Sequence, residues 1–223
     1  MTKDEKQLKK EQKLEEERRR IVQLGEYERQ YQHKGWIAGI DEVGRGPIAG
    51  PVVAAAVILP KECEILYIND SKKLSKNKRE LICSQIEEKA IAIGLGLVSS
   101  VRIDEINILQ ATYEAMRLAI ENLSVTPDVL LVDAVTIPEV DIEQIPIIKG
   151  DTKSISIAAA SIVAKVTRDR IMAEVDQRWP GYDFAKNSGY GTKSHREALQ
   201  ELGVTPIHRR TFIKGILGVD QGE

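Results

Sequence analysis

The sequence predicts an α/β domain built on a mixed sheet with helices on both sides. Three observations point there. Short apolar runs come first as a meander, later runs alternate with helical patterns, and 223 residues suffice for one sizeable core with appendages.

The elements follow in order. From Lys3 to Arg20 nearly every residue is charged or Gln, while Leu14, Ile21, Leu24 and Tyr31 fall at helical intervals. That predicts a charged helix with a thin apolar stripe over residues 1–34, and a globular domain over 35–223. A solvated helix resting on the body and a contact for nucleic acid or a partner both fit this stripe. Ile37–Ile40 and Pro51–Leu59 are apolar runs across a Gly-rich turn, a hairpin pattern. Ser75–Ala90 reads as a helix capped by Ser75, Ile91–Val101 as a strand, and Asp104–Leu123 as a helix entered at Asp104. Short strands follow at Val129–Val132 and Ile145–Ile148, then a long Ala-rich helix over Ile155–Trp179. The remainder reads as a turn-rich segment (Gly181–Gly191), a helix near Ser194–Leu202 and an apolar stretch from Thr211 to Leu217.

Composition narrows the function. Hydrophobic residues make up 42% and charged residues 30%, and no run approaches the roughly 20 apolar residues that cross a bilayer. The first residues are charged instead of forming an apolar signal core, so a cytoplasmic protein is expected. Cys63 and Cys83 form no CxxC pair and read as reduced thiols. A net charge of −2 counts weakly against a nucleic-acid partner, but acids gathered at a metal site would mask basic residues that meet phosphates.

The acids are placed suggestively. Ile37–Ile40 runs into Asp41 and Glu42, Val129–Val132 runs into Asp133, and Pro146–Ile148 leads through Lys149 and Gly150 to Asp151. Acids at strand ends sit at the rim of a sheet, where ligands bind in α/β folds. Four converging carboxylates would repel one another without cations, and oxygen ligands lacking His or Cys favour Mg²⁺ or Mn²⁺. Taken singly, an Asp at a strand end is usually a turn former, Glu42 beside Asp41 is an everyday dipeptide, and Asp151 also suits capping the following helix. Lys72, Lys73, Lys76, Lys78 and Arg79 crowd one segment, a solvated face or a phosphate contact. Arg45 stands between Gly44 and Gly46, where the backbone can approach a ligand closely. Lys149, Lys153, Lys165 and Arg168 lie near Asp151 in sequence; Lys165 and Arg168 also suit pairing with helix-surface acids. His195 reads equally as a proton-transfer aid or a surface residue, and Tyr190 as a stacking ring or ordinary packing.

Five segments in order, GIDEVGRGPIAGPVVAAAV, NDSKKLS, LLVDAV, KGDTKSISIAAASIVAKVTRD and NSGYGTKSH, resemble the ribonuclease HII family from about Gly35 to Arg210. The resemblance implies a ribonuclease H-like sheet with a C-terminal helical extension. It implies an endoribonuclease that cuts the RNA strand of RNA/DNA hybrids and nicks DNA duplexes 5′ to a single embedded ribonucleotide. Two-metal catalysis with Mg²⁺ or Mn²⁺ on Asp41, Glu42, Asp133 and Asp151 would leave 3′-hydroxyl and 5′-phosphate ends. It further implies that Gly44, Arg45 and Gly46 contact the ribonucleotide, that Tyr190 stacks on the following sugar, and that Lys72 lies near a phosphate. A monomer with no membrane contact is expected, and no protein partner is implied. The related ribonuclease HIII family usually carries an added N-terminal domain and a glutamate as fourth acid; here the N-terminal segment reads as one charged helix and the fourth acid is Asp151, which favours the HII resemblance. A silent nucleic-acid-binding module would be expected to lack an acid, and a small-molecule magnesium phosphatase would not need the Gly-Arg-Gly and Tyr190 elements.

Overall fold

A computed structural model describes residues 3–218, so positions 1–2 and 219–223 at the ends of the two expected spans lie outside the described residues. The charged N-terminal segment forms α1 (Lys3–Leu24) and α2 (Glu26–Tyr31), separated at Gly25. Its stripe is used. Ile21 and Leu24 are buried in the same cluster as Ile155, while Tyr27 and Tyr31 pack beside Ile37 and Ile157. Charged neighbours fasten the arm: Glu17 accepts from the Tyr67 N–H, Arg20 donates to the Ile68 carbonyl, and Lys34 pairs with Glu143.

The sheet contains β1 (Ile37–Val43), β2 (Val52–Ile58), β3 (Ala92–Val98), β4 (Val129–Asp133) and β5 (Glu143–Ile147) in the order β3-β2-β1-β4-β5. The first three form an antiparallel meander, and β4 and β5 join β1 in parallel. One face, including Val53, Ala55 and Val57, packs with α5 (Ile155–Arg178) and α3 (Lys76–Lys89). The other, including Ala54, Ala56, Ile58 and Ile40, packs with α4 (Ser100–Glu121). Every residue of β2 is buried, as expected of a central strand covered on both sides. Burying each Val or Ile contributes about 1.5–3 kcal/mol, against at most about 1 kcal/mol for an exposed ion pair, so these two layers dominate stability.

Several boundaries differ from the sequence reading. β1 continues through Asp41 and Glu42 to Val43, because Ala55, Ala54 and Val53 of β2 remain available as pairing partners. The helix expected to begin at Asp104 begins at Ser100, where Ser99 accepts from the Arg102 N–H. It is interrupted at Asn107 (φ 68°), whose side chain recaps the chain by accepting from the Leu109 and Gln110 N–H groups. Asp104 instead caps α8 (Arg210–Ile213) by accepting from the N–H groups of Arg210 and Thr211. Within the turn-rich segment lies a short helix, α6 (Phe184–Asn187), followed by α7 (Lys193–Leu202). These last helices form the C-terminal extension.

Candidate functional site

Parallel pairing creates the acidic centre. The last paired residues of β1 and β4 are Ile40 and Val132, so Asp41 and Asp133 leave adjacent strands at the same level. Glu42 is the next residue of β1, and β5 ends at Ile147, shortly before a 3-10 turn over Gly150–Thr152 that carries Asp151. The Gly150 N–H donates to Oδ1 of Asp133 at 2.7 Å, which joins the third and fourth acids. Lys149, in the left-handed region (φ 58°), makes the bend from strand to turn.

The electrostatics record this crowding. Burial, then the negative charges of Glu42 and Asp133, push the Asp41 carboxyl well above its ordinary range; the Ser161 hydroxyl and the Glu42 N–H pull the other way. Burial also raises Glu42, partly offset by Arg45, whose guanidinium lies 3.5 Å away. Asp151 is raised by burial, then by Asp70 and Asp133, while Lys72 and Lys73 lower it. An all-carboxylate group with so little counter-charge suits a hard divalent cation. No three His, Cys, Asp or Glu side chains among the described residues stand pre-assembled around a metal position. Asp41 and Asp133 are turned onto protein donors instead.

A second group borders the acids. Gly44 (φ 98°) lies in a left-handed conformation directly over Arg168, where a Cβ would meet Nε at 2.4 Å. A Cβ on Gly46 would stand 3.6 Å from the Tyr190 ring, so the Gly-Arg-Gly loop and Tyr190 are neighbours. Tyr190 is 47% exposed and free to meet a ligand. Lys72 is exposed on the turn facing Asp151. The nine residues that the resemblance implies for the site thus fall in two adjoining clusters.

Sequence reasoning missed what holds these loops. Arg168 does not pair with a surface acid: it is fully buried and donates to the carbonyls of Pro51, Ala49 and Ser188. Arg209, also fully buried, donates to the carbonyls of Gly44, Arg45 and Gly50. Burial pulls them down to about 10 and about 9 respectively, so both stay charged at neutral pH. Lys165 does pair with an acid, Asp169.

The surface reading of His195 is also overturned. It is fully buried, with Nδ1 2.8 Å from the Tyr190 carbonyl and Nε2 3.1 Å from Nε2 of His208. The Thr205 N–H donates to Nδ1 of His208, so the His208 proton sits on Nε2 and donates to His195, whose Nδ1–H then donates to Tyr190. The chain of donors ends on Tyr190. A cavity of about 530 Å³ lies elsewhere, beneath the N-terminal arm, lined by Trp36, Leu59, Glu28 and Ser156 among others and by none of the four acids.

A family model for Ribonuclease HII matches residues 38–215. The chain is 66% identical over 204 residues to the Ribonuclease HII of Lachnoclostridium phytofermentans, spanning 92% of this chain and 80% of that protein. It is 53% identical over 215 residues to that of Acetivibrio thermocellus, spanning 96% and 84%. Among solved structures, the ribonuclease H2 from Pyrococcus horikoshii OT3 is similar with a TM-score of 0.70 and 28% identity, covering 84% of this chain and all (100%) of that one.

Proposed function

The chain belongs to the ribonuclease HII family, and from that premise we propose that its acidic centre cuts the RNA-containing strand of duplexes and nicks DNA 5′ to single ribonucleotides. It is an endoribonuclease of a family that depends on divalent metal. The observation that carries the site assignment is the β1–β4 pairing, which sets Asp41 beside Asp133, with Glu42 and the Asp151 turn alongside.

Asp41, Glu42, Asp133 and Asp151 would hold Mg²⁺ or Mn²⁺, as their all-oxygen character favours. When bound, such cations neutralise the scissile phosphate and acidify the attacking water. The chain's own residues do the rest. Gly44, Arg45 and Gly46 present main-chain N–H groups and one guanidinium to the ribonucleotide, with the Gly44 and Arg45 carbonyls held from within by Arg209. A site built around one hydroxyl rejects the analogue lacking it by about 10⁴-fold, which is the selectivity this loop must supply. Tyr190, beside Gly46, stacks on the following sugar and holds the strand in register. Lys72 meets a phosphate near Asp151. The products would be 3′-hydroxyl and 5′-phosphate ends, as ribonucleotide removal during DNA replication and repair requires. The proposed organisation is a charged N-terminal segment over 1–34 and a catalytic domain over 35–223, working as a cytoplasmic monomer; no helix among the described residues is long and apolar enough to cross a membrane.

The test is a labelled DNA duplex containing one ribonucleotide, incubated with Mg²⁺ or Mn²⁺ beside a long RNA/DNA hybrid and a pure DNA duplex. A single cut 5′ to the ribonucleotide, with pure DNA untouched, is expected. Cleavage of the long hybrid alone would overturn the single-ribonucleotide assignment in favour of a ribonuclease HIII-like preference.

A further inference from the structure

The N-terminal arm touches the segment that follows the fourth acid through Glu28. Glu28, on α2, lies over the first turn of α5. Its Oε1 accepts from the Ser154 hydroxyl, the Ser156 hydroxyl and the Ser156 N–H. Ser154 is the N-cap of α5 and itself accepts from the Ile157 N–H at 3.1 Å, which commits its hydroxyl proton to Glu28. An anion here is favoured by the unpaired N–H groups and the dipole of a 24-residue helix. The other oxygen, Oε2, is buried without a hydrogen-bond partner among the described residues. Leaving an acceptor unsatisfied is costly, so the side chain is held in place at some expense to stability.

The residues it binds adjoin the fourth acid. Lys153 and Ser154 both donate their N–H groups to the Gly150 carbonyl, at 2.9 and 2.8 Å, which closes the turn bearing Asp151. Gly150 in turn donates to Asp133. From beneath, Gly39 of β1 meets the backbone of Ser156 two residues before Asp41. The start of α5 is thus gripped by α2 and β1, and the turn before it by the Asp133 carboxylate.

We infer that Glu28 is a positioning residue for the fourth carboxylate. By binding Ser154 and Ser156 it locks the Asp151 turn against the strands bearing Asp41 and Asp133, so the N-terminal arm is a working part of the metal-binding face. This rests on the assignment of the four acids to divalent cations made above. The arm residues lie outside the segment matched by the family model, which begins at residue 38.

The test uses the full chain with Glu28→Ala and Glu28→Gln. Mn²⁺ is titrated while melting temperature is followed, and kcat and KM are measured on the single-ribonucleotide duplex at limiting and excess Mn²⁺. Glu28→Ala is expected to raise the Mn²⁺ midpoint about tenfold, the usual effect of removing a group that orients a metal ligand. It should lower kcat at limiting Mn²⁺, recover at excess Mn²⁺, and leave KM for the duplex within about twofold. Glu28→Gln keeps an accepting oxygen and should shift the midpoint less. Hydrogen exchange at the Lys153 and Ser154 amides should accelerate in the alanine variant. If Glu28→Ala does not fold, Glu28→Gln and Ser156→Ala carry the same test. Folded variants with the wild-type Mn²⁺ midpoint would overturn the inference while leaving the metal site standing. A wild-type protein that Mn²⁺ does not stabilise would overturn the metal site itself.

Discussion

Gly39 and Ser156 touch backbone to backbone: a Cβ at position 39 would stand 2.1 Å from the Ser156 carbonyl carbon. No flexible side chain is present there to move aside. Gly39→Ala must therefore push α5 off β1 or distort the strand two residues before Asp41. The expected loss is at least ~3 kcal/mol in urea denaturation, with activity falling alongside. A variant within about 1 kcal/mol of wild type would show that the helix rides more loosely on the sheet than this contact demands.

Metal-free protein should be strained by its own acids. Burial, Glu42 and Asp133 raise Asp41, so its ionised form is disfavoured in the fold at neutral pH. Asp41→Asn is expected to raise the melting temperature in EDTA by a few degrees, the shift that about 1 kcal/mol produces in a chain of this length. The same variant should lose the stabilisation that Mn²⁺ gives wild type, together with its nuclease activity. A lower melting temperature in EDTA would contradict the repulsion.

How far the sequence revealed this arrangement depends on the range of the interactions. Continuous apolar runs such as Val52–Ile58 and the Ala-rich stretch from Ile155 announce themselves, because burial on both faces demands an unbroken apolar sequence. Asp41, Asp133 and Asp151 were legible because apolar runs lead into them. Arg168 and Arg209 were not. Their partners are main-chain carbonyls 117 and 165 positions away for Pro51 and Gly44, and a carbonyl has no residue type to read. Glu28 lies in EYERQY beside an equally charged Glu26, and nothing local separates the half-buried acid from the exposed one. His195 and His208 are thirteen residues apart and look unrelated until the intervening turn brings their rings together. The extent of β1 was misjudged for the opposite reason: a charged pair usually ends a strand, yet here the strand continues through it.

Arg209 should matter through geometry as much as through charge. Its planar fork reaches Gly44, Arg45 and Gly50 together, and a lysine cannot span them. Arg209→Lys is expected to lose about 2–4 kcal/mol of stability by freeing buried carbonyls. Nicking at a single ribonucleotide should fall at least tenfold at temperatures where the variant remains folded. Full activity in a folded variant would mean the Gly-Arg-Gly loop keeps its shape unaided.

The buried histidine pair predicts sensitivity to acid. Burial, then His195, depresses His208 from 6.5 to about 4. Below pH 6.5 the unfolded chain takes up a proton that the folded one refuses, so this site's contribution is intact above about pH 7. It is lost progressively as pH falls toward 4, by up to about 1.4 kcal/mol per pH unit. Asp41 and Glu42, being raised, act in the opposite sense and gain from protonation. The comparison is therefore urea denaturation of wild type against His208→Gln at pH 7.5 and 5. The advantage of wild type should shrink at the lower pH; an unchanged difference would mean His208 titrates normally.

The Arg209 clamp has a consequence for biosynthesis. Gly44 and Arg45 emerge early from the ribosome, yet the side chain that fixes them is encoded 165 and 164 residues later, and Glu28 waits 126 residues for Ser154. Contacts of such separation form late, after the loops between them have closed. A nascent chain that has paired β1 with β2 therefore holds two of the acids beside a Gly-Arg-Gly loop that still lacks its clamp. On the proposed assignments, the ability to choose where to cut arrives last, once nearly the whole chain has been made.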